Sequence, residues 1–286
     1  MSALLPDQTH IGLVALTVQD LIGTARFYEG MLGMRRLSGG GEGEIVLGAG
    51  ETPIFRLLEN TNAQTYPDRP GLYHTAILLP SRFALARVLY NLVERGYALQ
   101  GAADHGVSEA LYLADPEGNG IELYRDRPLS EWPRDEGGEL KMVTDPLNLD
   151  QLVLELKGRL EPWTGIDPLT RVGHVHLQVS SVPPAEKFYT DVIGLELQQR
   201  YGSQAAFLSA GGYHHHVGIN SWQSRGAQPA PVNSAGLRYF EILIPGRDAV
   251  AAVVTRAHAA EIAPEGIDGG WMMRDPAGNG VVIKPV

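Results

Sequence analysis

Asp115-Pro116-Glu117-Gly118-Asn119-Gly120-Ile121-Glu122-Leu123-Tyr124 is answered later in the chain by Asp275-Pro276-Ala277-Gly278-Asn279-Gly280-Val281-Val282-Ile283-Lys284. A phrase stated twice marks an internal duplication, and a repeat constrains the fold more strongly than local propensity does. Glycine and asparagine tolerate positive φ, so the shared Asp-Pro-x-Gly-Asn-Gly reads as a structural turn. The copies part on the strand behind it, where Glu122 supplies a carboxylate and Val282 does not. One polar and one apolar copy of the same scaffold point to a single site built on broken symmetry.

Three further echoes keep the same order and nearly the same offset. Arg26-Phe27-Tyr28-Glu29-Gly30-Met31-Leu32-Gly33-Met34 matches Lys187-Phe188-Tyr189-Thr190-Asp191-Val192-Ile193-Gly194-Leu195. Gly71-Leu72-Tyr73-His74 matches Gly236-Leu237-Arg238-Tyr239, and Val18-Gln19-Asp20 matches Val179-Ser180-Ser181. Each half divides again. Ile11–Val18 reads as a strand, Asp20 as the N-cap of a helix to about Met31, and Glu44–Leu47 and Ile54–Leu58 as short strands. Residues 72–79 begin another strand, followed by a helix over Arg82–Arg95 and strands near Ala98–Gln100, Ala110–Ala114 and Gly120–Tyr124. The pattern is βαβββ, repeated over about 9–60, 71–126, 171–221 and 236–286. The expected domains are 1–126 and 171–286. The connector 127–170, rich in Pro, Asp and Glu, carries one helix at Leu147–Lys157 and covers a surface.

Composition narrows the function. The 286 residues are 44% hydrophobic and 20% charged, with no cysteine and a formal net charge of −10. Zero cysteines exclude disulfides, zinc–thiolate sites and a thiol nucleophile. The negative balance, with no Lys/Arg cluster, argues against nucleic acid, and no apolar run is long enough for a membrane span. The opening Met1-Ser2-Ala3-Leu4-Leu5-Pro6-Asp7 lacks the basic and apolar regions of a secretory signal. The expectation is a cytoplasmic protein that acts on a small molecule.

Four βαβββ modules, with Phe-Tyr near the end of each half's first helix and the glycine turn before its last strand, resemble the vicinal oxygen chelate superfamily. That group includes glyoxalases, bleomycin- and fosfomycin-resistance proteins and type I extradiol dioxygenases. Within it, Gly71-Leu72-Tyr73-His74, Ser108-Glu109-Ala110-Leu111-Tyr112-Leu113, the 115–124 phrase and Tyr213-His214-His215-His216 resemble bacterial catechol 2,3-dioxygenases. The resemblance implies an α+β fold in which the modules pair into two half-open β-sheet cups. It also implies that metal ligands come from the first and last strands of a module.

At those places the first module has Leu13, which cannot ligate. The second has His74 and Glu122, the third has His174, and the fourth has Tyr239 and Val282. The set implied is His74, His174 and Glu122, a 2-His-1-carboxylate triad suited to Fe(II) with open positions, with Mn(II) as a substitute. Two neutral imidazoles and one carboxylate leave the Fe(II) site at +1, able to bind an anionic catecholate and dioxygen. Modules two and three would then share one cup, within a chain or between subunits, while one and four form a metal-free cup.

The resemblance also assigns neighbouring roles. His215 falls on the acid–base histidine, a role that needs a group titrating near neutrality. His216 falls opposite Glu122, at the fourth-ligand place of a glyoxalase-like site. Strand alternation would keep His215 and His216 from both facing inward, so which one faces the metal stays open. Tyr112 matches a tyrosine that hydrogen-bonds substrate, and His105 a loop histidine that reaches it. His176 shares a face with His174 and either lines the pocket or holds a ligand in place. His10 and His258 are expected at the surface.

The function implied is Fe(II)-dependent cleavage of a catechol by O2 to a 2-hydroxymuconic semialdehyde-type product. Such an oxidoreductase of aromatic catabolism takes a small aromatic diol and O2 as its partners and works as a homo-oligomer. One alternative is a glyoxalase-like metal-dependent isomerase or transferase, with His216 on the metal and Zn or Ni in place of iron. The other is a non-enzymatic, bleomycin-type drug-binding protein.

Overall fold

In the first module β1 (His10–Val18) leads into α1 (Leu21–Phe27), followed by β2 (Arg35–Leu37), β3 (Glu44–Ala49) and β4 (Thr52–Glu59). The second runs β5 (Gly71–Leu78), α2 (Arg82–Glu94), β6 (Gly101–Asp104), β7 (Ser108–Ala114) and β8 (Gly120–Asp126). The connector holds β9 (Asp145–Pro146) and α3 (Leu149–Val153). The third module is β10 (Arg171–Gln178), α4 (Val182–Lys187), β11 (Glu196–Tyr201), β12 (Ala205–Ser209) and β13 (Val217–Asn220). The fourth is β14 (Gly236–Ile244), α5 (Arg247–Ala259), β15 (Glu265–Ile267), β16 (Gly270–Arg274) and β17 (Gly280–Pro285). These elements come from a computed structural model that describes residues 4–159, 161–267 and 269–286. The fold is mixed α+β, with its strands in two curled sheets.

Local chemistry explains the helix ends. Asp20 accepts from the Gly23 amide at 2.8 Å to start α1, and Ser81 accepts from the Ala84 amide at 3.1 Å to start α2. Pro183 and Pro184 lie in the first turn of α4, where a missing N–H breaks no helix bond. Both α1 and α4 run into a π-helical turn, at Tyr28–Leu32 and Phe188–Ile193, each closed by a glycine, Gly33 or Gly194.

The chain divides into two compact units. The first gathers the N-terminal residues to Thr17, residues Asn62–Tyr73 and Gly173–Val286. In it β1 pairs antiparallel with β14, β14 parallel with β17, and β17, β16 and β15 follow antiparallel. Its other strands pair β10 parallel with β13, then β12 and β11 antiparallel. The second unit is Val18–Thr61 with His74–Val172. There β4, β3 and β2 form an antiparallel run, while β5 pairs parallel with β8 and β8, β7, β6 and β9 follow antiparallel. These units group residues by packing, whereas the division at 126 and 171 groups them by duplication.

The repeated phrases meet in space. Within the second unit the Tyr28 hydroxyl donates to Asp115 Oδ2 at 3.1 Å, and within the first the Tyr189 hydroxyl donates to Asp275 Oδ2 at 3.2 Å. Each aspartate also takes two backbone amides on Oδ1 and the turn asparagine's side-chain amide on Oδ2. Burial lifts both carboxyls above their ordinary value against the pull of these donors. Burial and the neighbouring aspartate hold both tyrosine hydroxyls well above theirs. Gly118 and Gly278 take φ of 86° and 92°, the left-handed conformation that lets the loop fold back onto its aspartate. Only the first turn has Glu117, whose carboxylate accepts from the amides of Gln19 and Asp20 at 2.7–2.8 Å beside the start of α1.

The expected strand at Ala98–Gln100 lies instead at Gly101–Asp104, and the expected connector helix shortens to Leu149–Val153 with a 3₁₀ turn at Leu154–Leu156. The Tyr97 hydroxyl donates to the Ala114 carbonyl at 2.7 Å, and the ladder with β7 extends only from Gly101 onward. The connector packs on its own unit through ions. Buried Glu109 accepts from Arg82 and Arg125 at 2.8 Å each, and Arg82 also reaches Gln151 O and Glu155. Burial would depress the Arg82 guanidinium, yet Glu109 and Glu155 lift it above its ordinary value. No helix among the described residues is long and apolar enough to cross a membrane.

Removing either tyrosine hydroxyl strips a donor from a buried carboxylate. Tyr28→Phe and Tyr189→Phe should each lower unfolding stability by about 1.5–3 kcal/mol. The measurement is a urea transition whose midpoint falls at unchanged slope; an unchanged midpoint in both variants would show that these bonds contribute nothing.

Candidate active site

In the second unit, β5 and β8 lie side by side in parallel and β7 flanks β8. Alternation places His74, Ala76 and Leu78 on one face of β5. Tyr112 stands directly across from Glu122 on β7, so the two side chains leave the sheet on one side. Beside them on the same face Ala76, Leu78, Ala110 and Tyr124 make an apolar cluster against which Tyr112 packs. His74 and Glu122 are 7% and 3% exposed, and His74 Nε2 lies 3.0 Å from Glu122 Oε2. The His74 ring stands 5.7 Å from that of Tyr112.

His105 leaves β6 in the loop before β7 and does not act alone. Its Nδ1 lies 2.7 Å from the Val143 carbonyl and its Nε2 2.7 Å from the Tyr112 hydroxyl. A carbonyl can only accept, so Nδ1 carries a proton, and in the neutral tautomer that this selects Nε2 accepts from Tyr112. The connector clamps this loop on its other side, since the Val143 amide donates to the His105 carbonyl at 3.1 Å. The Gly106 amide donates to Asp104 at 2.9 Å, and Arg127 binds the same carboxylate. Against the upward push of burial, these two hold the Asp104 carboxyl below its ordinary value.

The first unit holds the remaining histidines. His174 and His176 alternate on β10, at 1% and 4% exposure. His176 is paired with Gly218, where an added Cβ would come within 3.0 Å of the imidazole. Tyr73, Phe207 and Trp222 surround that imidazole, with ring centroids 5.2–5.7 Å away.

The three-histidine run is not strand: β13 begins at Val217. Gly211 and Gly212 turn the chain after β12 with positive φ, and the Ser209 hydroxyl donates to the Tyr213 carbonyl, drawing the segment out of regular pairing. The alternation expected of His214–His216 therefore does not apply. The His215 ring lies 4.0 Å from that of His174 and 4.9 Å from Phe207. His216 accepts the Ala210 amide on Nδ1 at 3.2 Å and packs on Tyr213. His214, to which the sequence assigned no role, is fully buried, with its Nδ1 2.9 Å from that of His215. His10 bonds the Gln8 carbonyl near the N-terminus, and His258 is exposed on α5.

The fourth module gives the contrast. Glu122 faces Ala76 across β5 and β8, and Val282 faces Glu241 across β14 and β17, so Glu122 and Val282 hold equivalent places. Tyr239 lies two residues before Glu241 as His74 does before Ala76. The polar groups nearby, Glu241 and Lys284, form an ion pair, and the Glu241 carboxylate also accepts the Leu13 amide at 3.4 Å.

A profile of the Glyoxalase/Bleomycin resistance protein/Dioxygenase superfamily matches residues 10–123 and 171–283, the two halves of the repeat. A catechol-2,3-dioxygenase of Bacillus subtilis (strain 168) is 40% identical over 273 residues, covering 94% of this chain and 95% of that protein. Glyoxalase I of Zea mays shares the fold at 17% identity and a TM-score of 0.59, over 96% of this chain and 92% of its own. So does the cppA protein of Streptococcus pneumoniae TIGR4, at 12% identity and 0.60, over 97% and 99%. The chain belongs to the glyoxalase/bleomycin resistance protein/dioxygenase superfamily, and it is an enzyme of dioxygenase type, related to a catechol-2,3-dioxygenase.

Proposed function

We propose that this enzyme is an extradiol ring-cleaving dioxygenase, opening a catechol with O2 to a 2-hydroxymuconic semialdehyde-type product. The observation that carries the reading is the buried His74–Glu122 pair, at 3.0 Å, with Tyr112 directly across the sheet from Glu122. Identity to the catechol-2,3-dioxygenase over nearly the whole chain supports it. The reading includes a cytoplasmic homo-oligomer.

His74, Glu122 and His174 would hold Fe(II), or Mn(II) in its place. Each unit, taken by itself, supports this. One has an imidazole nitrogen against a carboxylate, both nearly inaccessible; the other has His174 buried beside His215. Nitrogen and carboxylate donors without thiolate suit a borderline divalent cation that keeps open positions. When bound, Fe(II) supplies Lewis acidity toward the diol and redox coupling between diol and dioxygen.

The protein residues handle protons and water. The Tyr112 hydroxyl proton is directed at His105 Nε2, and a phenol oxygen that donates can also accept a hydrogen bond, here from a catechol hydroxyl. A proton leaving the diol toward Tyr112 Oη is then matched by one arriving at His105 Nε2, and the Val143 carbonyl steadies the ring through Nδ1–H. His215, 8% exposed, is the acid–base group of the reaction. His176 and its aromatic neighbours line the pocket and exclude water, and His216 borders it.

Anaerobic loading with Fe(II), then catechol and air, should yield a yellow ring-opened product. His74→Ala, Glu122→Gln and His174→Ala should each lose iron and turnover together. His215→Ala should keep its iron while kcat falls by about 10²–10⁴. An iron-loaded enzyme that cleaves none of several catechols would sink the reading.

Long-range ¹⁵N–¹H spectra test the proton relay. In the resting enzyme His105 should show a protonated Nδ1 and a bare Nε2, and Tyr112→Phe should leave Nδ1 protonated. A protonated Nε2 with a bare Nδ1 would overturn the relay.

A further inference from the structure

The first unit contains a second donor set, made of imidazoles alone. One nitrogen from each of His174, His214 and His215 lies within 4.8 Å of the others, and all three residues are buried. Their ring centroids are 4.0 Å (His174–His215), 4.7 Å (His214–His215) and 5.8 Å (His174–His214) apart. The rings are mutually tilted by 48°, 57° and 82°. Tilted rings converging on one point, rather than stacking, suit ligands arranged around an ion.

We infer that His174, His214 and His215 form a three-imidazole site for a divalent cation of the zinc class. It is distinct in composition from the His74–Glu122–His174 set and shares His174 with it. The inference rests on the proposed function only for that sharing.

The chain presents these rings on a pinned backbone. The His216 amide donates to Leu208 O on β12 at 2.8 Å, and the Val175 amide donates to His216 O at 3.1 Å. The histidine run is thus tethered on both flanks, while the Ser209–Tyr213 bond arches the chain before it. Consecutive histidines on an ordinary strand would point to opposite faces. Here the arch turns His214 and His215 toward each other, Nδ1 to Nδ1 at 2.9 Å. Zinc–nitrogen bonds of about 2.0–2.1 Å in a tetrahedron need nitrogens about 3.3 Å apart, a modest rotation from the observed spacing.

Donor type sets the cation class. Neutral imidazoles suit Zn(II), Cu(II) and Ni(II), which lie high in the affinity order for nitrogen sites. Without a carboxylate the site keeps its full +2 charge, so its fourth ligand is water, hydroxide or another small anion. Occupation would withdraw His174 from the iron site and His215 from acid–base work. The consequence is inhibition by zinc through competition for His174.

The experiment uses the full chain stripped of metal. A His74→Ala/Glu122→Gln double variant lacks two iron ligands but keeps the three imidazoles. Equilibrium dialysis should show one Zn(II) per chain, Co(II) should give the intense visible bands of a low-coordinate site, and X-ray absorption should count three imidazoles. Adding His214→Ala should weaken Zn(II) binding by more than about 100-fold, since a direct ligand matters more than an outer partner. A double variant that takes up no stoichiometric Zn(II), or an absorption spectrum with fewer than three imidazoles, would overturn the site. So would unchanged affinity after His214→Ala. If the triple variant fails to fold by circular dichroism, the imidazole count in the double variant decides alone. Catechol turnover by the iron-loaded wild type judges the dioxygenase reading separately.

Discussion

A buried carboxylate surrounded by donors is the constraint on which each unit is built. Asp115 and Asp275 sit almost out of reach of water, and each is surrounded by two backbone amides, an asparagine side chain and a tyrosine hydroxyl. Burying a charge without such partners costs several kcal/mol. The turn sequence and the helix-end tyrosine are therefore demanded together: the turn supplies three donors and the helix supplies the fourth. That bond joins the helix of one module to the last strand of the next, and it fixes where β8 and β17 begin. Whatever side chain follows on those strands is delivered to a set place, a carboxylate in one case and a valine in the other.

Much of this was legible in the residues because the physics is local. The Asp-Pro-x-Gly-Asn-Gly turns, the Asp20 and Ser81 caps and the closing glycines are short-range devices, and the elements they bound fall close to where periodicity puts them. The displaced strand of the second module shows the limit. Ala98–Gln100 reads well as β, but Gly101–Asp104 is what β7 pairs with, and the choice of partner lies outside any local window.

The site divides the same way. His74, Glu122 and His174 are legible as candidates because they fall at equivalent places in repeated modules, and Tyr112 through its resemblance to an extradiol tyrosine. The three-histidine run announced itself too, yet its geometry did not. Reading it as strand forced a choice between His215 and His216, whereas two glycines and a serine hydroxyl bend it into an arch that brings His214 into play. The Arg82–Glu109–Arg125 cluster went unread for a related reason. Its members are ordinary surface residue types, and only the tertiary fold buries Glu109 among them.

The connector reads in the sequence as packaging, and the Val143 carbonyl makes it something else. A peptide group outside the repeat holds a proton on His105 Nδ1, and in the neutral ring that contact aims the Tyr112 hydroxyl at Nε2. Duplication could copy the histidine, the tyrosine and the sheet beneath them, but not the polarity of the relay. Residues 71–126 grafted alone onto another scaffold would carry every recognisable group and leave their protons undirected. The chemical sense of this half of the molecule is written in a segment that has no counterpart in the other.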